Sequence, residues 1–233
     1  MIVRSTLGLA VSLLAASNVG AADRPSQPVF IYGSLSGRPT LDRDAQGGNP
    51  FATAFVQSLA LESASFGAFA EELIRRTGGA SRGIQHPEVL GGGHLPRWQF
   101  LPRQKGQMRV ALVVTFSGYA GSDVGPSLPG VIRDRERVSK ALTNAGFAVT
   151  RIDDPDAAAL TRAIASFQRN SAAADVALIY TTGHGVEIDG VPRVLLPYSR
   201  SDGTIAMTVT ELARAARARE ANLIFYAARR NRG

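Results

Sequence analysis

The feature that most constrains this chain is a regular alternation between residues 108 and 227, in which short apolar runs are separated by stretches of helical spacing. Met108 to Phe116 (MRVALVVTF), Phe147 to Ile152, Asp175 to Thr181 (DVALIYT) and Asn222 to Ala227 (NLIFYA) read as strands. Val131 to Ala145 reads as a helix stopped by Gly146. Asp154-Pro155 starts another, in which Leu160, Ile164 and Phe167 share a face. Thr208 and Glu211 have the spacing of a capping box and open a helix to about Glu220. Strands that alternate with helices pair in parallel through right-handed crossovers. Near-continuous apolar runs suit strands covered on both faces. The fold class is therefore α/β, with helices on both faces of a mostly parallel sheet.

The N-terminal third has a different rhythm. Pro28 to Ser34 reads as a buried strand closed by Gly33, and Gly37 to Gly48 as a loop. Asn49-Pro50 sets up a helix start, followed by Phe51, Phe55 and Leu59 at helical spacing. Ser65 to Arg76 reads as a second helix, with Phe66, Phe69, Leu73 and Ile74 on one face and Gly78-Gly79 as its stop. Gly83 to Pro96 is glycine-rich. Arg97 to Leu101 reads as a short edge strand and 102–107 as a polar connector.

Composition narrows the function. A hydrophobic fraction of 45% supports a real core. The +7 net charge comes from 26 Lys and Arg against 19 Asp and Glu, and no nucleic-acid-binding signature accompanies it. Solvated arginines, including Arg214, Arg217 and Arg219, account for it, and no nucleic-acid partner is expected. The 233 residues hold no cysteine, which excludes disulfides, thiolate metal sites and thiol catalysis among them. His86 and His94 lie in the glycine-rich loop without a third ligand, so neither metal nor other cofactor is expected. Residues 1–22 read as a signal peptide: Arg4 is the positive end, Leu7 to Ala16 the apolar run, and Val19 to Ala22 the small cleavage residues. The expected location is secreted or periplasmic. Residues 23–233 are expected to form one domain, without a further membrane span.

One segment carries chemistry. Ala177 to Pro197 (ALIYTTGHGVEIDGVPRVLLP) sets His184 between Gly183 and Gly185, just past the carboxyl end of a buried strand. Open α/β sheets bind ligands there. A lone loop histidine is more often structural than catalytic, so the position alone does not decide.

Its context resembles the large-subunit region of caspase-like peptidases, the clan of caspases and metacaspases. RVALVV at the first strand, Tyr119, Leu128-Pro129, Asp134, Gly146-Phe147, IYTTGHGVEIDG and Leu196-Pro197 follow the family's order across residues 109–197. The resemblance implies a three-layer caspase-haemoglobinase fold. Its sheet has six strands in the order 2-1-3-4-5-6, the last antiparallel. The family's next signature is Asp-Ala-Cys-Arg. Here NLIFYAARRN has Tyr226 in place of Asp and Ala228 in place of the nucleophilic Cys, while Arg229 still matches. The small-subunit segment that should follow resembles residues 28–101 instead. FIYGSLSGRPTLD is similar to the fifth strand and its loop, and NPFATAFVQSLA to the following helix, with Phe51 and Thr53 in register. Gln85 and Pro87 match a loop of the same segment. The chain therefore resembles a circularly permuted caspase fold, with 28–101 small-subunit-like and 108–233 large-subunit-like. A connector would have to cross four strand spacings, about 19 Å. Six extended residues such as 102–107 reach about 20 Å.

The resemblance assigns His184 as acid/base, the N–H groups of Gly185 and Ala228 as oxyanion donors, and the Asp134 and Tyr226 positions to substrate binding. A methyl at 228 attacks nothing, so proteolysis by the family's thiol mechanism is not expected. Three functions remain open. One is a pseudopeptidase binding a peptide or partner protein through the vestigial cleft. Another is a hydrolase with a hydroxyl nucleophile, Ser117, Thr181 or Thr182, within hydrogen-bond reach of the His184 ring. The third is an assembly subunit whose cleft is filled.

Overall fold

The computed structural model describes residues 24–95, 97–198, 206–228 and 231–232. The leader read over 1–22, and Arg229, lie outside them. Within the described residues no helix is long and apolar enough to cross a membrane.

Asn49 accepts the Phe51 N–H and places Pro50 at the first turn, so helix α1 (Pro50–Leu59) starts where the sequence predicts. It follows strand β1 (Pro28–Tyr32) and precedes α2 (Phe66–Ala80) and the three-residue strand β2 (Glu88–Leu90). The alternating part then supplies β3 (Arg109–Thr115), α3 (Pro129–Asn144), β4 (Ala148–Asp153), α4 (Ala157–Ala172) and β5 (Val176–Thr182). A hairpin follows, β6 (Gly185–Ile188) and β7 (Val191–Leu195). The chain continues through β8 (Ala206–Thr208), α5 (Val209–Ala215), β9 (Ala221–Tyr226) and β10 (Asn231–Arg232).

Six strands form one sheet in the order β2-β1-β9-β5-β3-β4. All neighbours are parallel except β1 and β2. β1 runs beside β9 with Phe30 opposite Ile224 and Tyr32 opposite Tyr226. The N-terminal third thus contributes one interior strand and one antiparallel edge strand to the sheet. This is the strand arrangement of the caspase-like fold. A second, four-stranded sheet has the order β10-β6-β7-β8.

Every residue of β5 is buried, as a strand covered on both faces requires. On one face Phe51, Phe55, Phe69, Leu73, Val138 and Leu142 of α1, α2 and α3 pack on Val113, Leu178, Tyr180 and Phe225. On the other, Leu160, Phe167 and Leu212 of α4 and α5 pack with Val194 and Met207 on Leu112, Val114, Ile179 and Ile224. The molecule is a three-layer α/β sandwich.

Three local expectations differ from the structure. Gly78-Gly79 does not stop α2, which runs to Ala80 with Thr77 buried. The chain reverses only at Arg82 and Gly83, both with positive φ. The edge strand lies at 88–90, inside the glycine-rich stretch, whereas 97–101 makes a single bridge, Gln99 to Ser65. There the carbonyls of Gln99 and Phe100 are taken by the Arg109 guanidinium, which leaves no strand ladder to build. Finally α5 ends at Ala215, because the next N–H groups find side-chain acceptors: Arg217 donates to Ser171 Oγ and Ala218 to Asn222 Oδ1.

Candidate functional site

Parallel strands leave their loops at one edge of the sheet, and the loops after β1, β3, β5 and β9 meet there. The loop after β3 is pinned by Asp154, whose carboxylate accepts the N–H of Ser117 at 2.6 Å, its hydroxyl at 2.8 Å and the Gly118 N–H at 3.0 Å. That fixes Tyr119. Its hydroxyl accepts the His184 backbone N–H at 3.0 Å and donates to the Leu195 carbonyl at 2.6 Å. Its ring stands edge-on to the imidazole, centroids 4.5 Å apart. Tyr119 has no exposed surface, and burial pushes its phenol well above the ordinary range.

This close packing explains two glycines. A Cβ on Gly183 would sit 2.6 Å from the Tyr119 hydroxyl. One on Gly125 would sit 2.9 Å from His184 Nε2, and Gly125 also has φ +153. The bare Gly125 lets the following residue reach the imidazole: the Pro126 carbonyl lies 2.7 Å from His184 Nε2. A carbonyl only accepts, so Nε2 carries the proton in this bond. In the neutral ring Nδ1 is then the basic nitrogen.

His184, Gly183, Thr182, Ala227, Asn49, Leu128 and Val131 line a cleft of about 250 Å³. Residues 40–42 and Pro126 complete it. The wall at 40–42 is held by Gln85, which accepts the Leu41 N–H and donates to the Gly33 carbonyl. Asn49 Nδ2 bonds the Leu41 carbonyl at 2.8 Å. Asp42 reaches across the chain to accept the Gly130 N–H in the first turn of α3, a helix without a side-chain cap of its own.

The sequence-derived site residues fall in different places. Gly185 is buried and opens β6 opposite Val194. Ala228 is fully buried, one residue beyond the cleft-lining Ala227, in the same apolar cluster as Tyr119. Asp134 is also fully buried, behind the cleft. It accepts the Asn49 N–H at 3.0 Å and two bonds from Arg137, at 3.0 and 2.7 Å. Burial raises its carboxyl to about 7, against the pull of the Arg137 cation and the Asn49 N–H. Tyr226 points to the opposite face of the sheet, where its hydroxyl donates to the Arg193 carbonyl at 2.8 Å. Among the described residues, neither Ser117 nor Thr181 nor Thr182 hydrogen-bonds to the His184 ring. The Ser117 hydroxyl is committed to Asp154.

Residues 108–222 match the family model of the caspase domain, peptidase C14. That segment is caspase-like. It includes Asp134, His184 and Gly185 and stops before Tyr226 and Ala228. The match relates the segment to a family of peptidases. No curated protein matches the chain.

The positioning role of Tyr119 escaped the sequence reading. Its partners lie 65 and 76 residues away. Only its place in the family's loop marked it.

Proposed function

We propose that this caspase-like domain is a circularly permuted, catalytically silent peptidase homologue that binds a peptide or a peptide segment of a partner protein in the cleft beside His184. What supports the reading is a braced histidine at a cleft whose neighbouring strand runs on into Ala228, a methyl where the resemblance places the family's thiol. His184 is held by Tyr119 and Pro126 at the mouth of an open cleft, and the residue after cleft-lining Ala227 is Ala228. Positioning and oxyanion binding without a nucleophile give only weak acceleration, on the order of 10³–10⁴ over water in a serine peptidase stripped of its triad.

The permutation is supported by the sheet order. β1 and β2 precede β3 in the chain and lie beyond β9 in space, where the family's fifth and sixth strands belong. The leader read over 1–22 puts this activity outside the cytoplasm. The cleft of about 250 Å³ favours ligand binding over an assembly role in which the cleft is filled.

Peptide libraries incubated with the protein before and after Ala228→Cys test the reading. The unmodified protein should retain peptides without cutting them, and Ala228→Cys should gain cleavage that a second change, His184→Ala, removes. Cleavage by the unmodified protein that depends on His184 would overturn it in favour of a hydroxyl nucleophile.

A further inference from the structure

The charges around the cleft are already paired within the fold. Asp134 has no exposed surface, and its oxygens are taken by Arg137 and the Asn49 N–H. Arg137 is anchored a second time, on the Asn49 carbonyl at 3.1 Å. The pair presses so closely on Gly48 that a Cβ there would meet the Arg137 guanidinium at 2.4 Å. Asp42 does line the cleft: its Oδ2 is committed to the Gly130 N–H and to Arg43 Nε, both at 3.2 Å, and its Oδ1 is buried without a hydrogen bond among the described residues. Asp44 is used by Thr53 Oγ1 and by the Gln46 N–H. Among the described residues no lysine or arginine lines the cleft. What remains for a ligand is mostly apolar wall: Leu41, Pro126, Leu128, Val131 and Ala227.

From this arrangement we infer that the cleft accepts an uncharged, predominantly apolar side chain of a peptide, and that Arg137 sets this preference by satisfying Asp134 from inside the fold. The inference rests on the peptide-binding reading above and specifies its ligand. A basic side chain entering the cleft finds Asp134 and Asp42 Oδ2 already partnered and Asp42 Oδ1 without accessible surface. An acidic one finds no lysine or arginine in the described wall and is repelled by Asp42. Either would give up hydration for no compensating bond, whereas an apolar side chain gains by leaving water. Size agrees, since drug-sized ligands occupy roughly 300–1,000 Å³ and this cleft of about 250 Å³ suits a single side chain.

The test uses three immobilised peptide libraries with randomised flanks and one fixed central residue, Leu, Arg or Asp. Each is titrated with the unmodified protein, with Leu41→Trp and with Arg137→Gln. The Leu library should retain the unmodified protein at least tenfold more strongly than the other two. Leu41→Trp fills the cleft and should erase that preference. Arg137→Gln leaves Asp134 without its counter-ion and should narrow the gap between the Leu and Arg libraries at least threefold. If Leu41→Trp melts early, Arg137→Gln alone carries the decision. Equal or stronger retention on the Arg or Asp library would overturn the inference and leave peptide binding standing. Retention by none of the three would end peptide binding itself, and the inference with it.

Discussion

The Tyr119 hydroxyl and the His184 backbone N–H are 3.0 Å apart, and through this one bond the loop after β3 sets the position of the loop after β5. The same oxygen donates to the Leu195 carbonyl, so the phenol joins both ends of the β6–β7 hairpin. His184 is therefore oriented from two sides, by Tyr119 beneath it and by the Pro126 carbonyl at Nε2.

Tyr119→Phe should keep the ring packing and lose both bonds. It leaves the His184 N–H and the Leu195 carbonyl without their partner in a buried setting, a loss of about 1–3 kcal/mol. A domain of this size should melt a few degrees lower. Peptide affinity should fall by more than the melting shift alone explains, because the imidazole loses one of its two anchors. Thermal unfolding and binding titrations on the same preparation separate the effects. An unchanged affinity would show that His184 needs only Pro126.

Gly183→Ala attacks the same contact from the other side. The added methyl would lie 2.6 Å from the Tyr119 oxygen, and 3.1 Å from Phe116 Cβ. Overpacking of this kind costs about 1–3 kcal/mol. Combined with Tyr119→Phe, which deletes the clashing oxygen, the double variant should be more stable than the sum of the single losses by at least about 0.5 kcal/mol. Strict additivity in a urea-denaturation cycle would place the strain elsewhere.

The alternating half of the fold was legible because its signals are local. Thr208 and Glu211 form the reciprocal capping box that their spacing implies, and Asn49 caps α1 as read. What could not be read depends on distant residues. Arg97 to Leu101 has strand-like composition, yet its Gln99 and Phe100 carbonyls are claimed by Arg109, which sits in β3. Asp134 could be recognised by its place in a motif, but not the fact that Arg137, one helical turn along, covers it. β2 has three residues, too short to leave a period-2 pattern in a glycine-rich stretch.

Asp134 should leave a signature in stability against pH. In the unfolded chain its proton departs near pH 3.9. In the folded protein burial holds it to about 7, with Arg137 and the Asn49 N–H lowering that value and Asp42 raising it. Between about pH 4 and 7 the folded state binds the extra proton, so stability falls as pH rises through this window and is level above it. The span corresponds to roughly 4 kcal/mol. Asp134→Asn cannot ionise. Denaturation curves of the two proteins should nearly coincide at pH 5 and separate by pH 8, the Asn form being the more stable. Curves that stay parallel from pH 5 to 8 would mean that Arg137 keeps Asp134 ionised throughout.

Arg109 tests whether the two parts of the chain are fastened independently of the site. It is nearly fully buried at the start of β3, and burial lowers its guanidinium to about 10. Its donors reach the carbonyls of Gln99, Phe100 and Ala145 and the Gln107 side chain. The guanidinium also lies 5.6 Å from the Trp98 and Phe147 ring centroids. It thereby ties the segment that leads from the N-terminal third into β3 to the end of α3. Arg109→Met keeps the stem volume and abandons three carbonyls, at a cost of about 3 kcal/mol. Trp98 is the sole tryptophan, so its emission reports this clasp directly and should shift to the red. His184 lies past the carboxyl end of β5, which is parallel to β3, and so at the opposite edge of the sheet. Peptide retention at a temperature well below melting should therefore be unchanged. Loss of retention together with the red shift would show that the clasp and the cleft are mechanically coupled through the sheet.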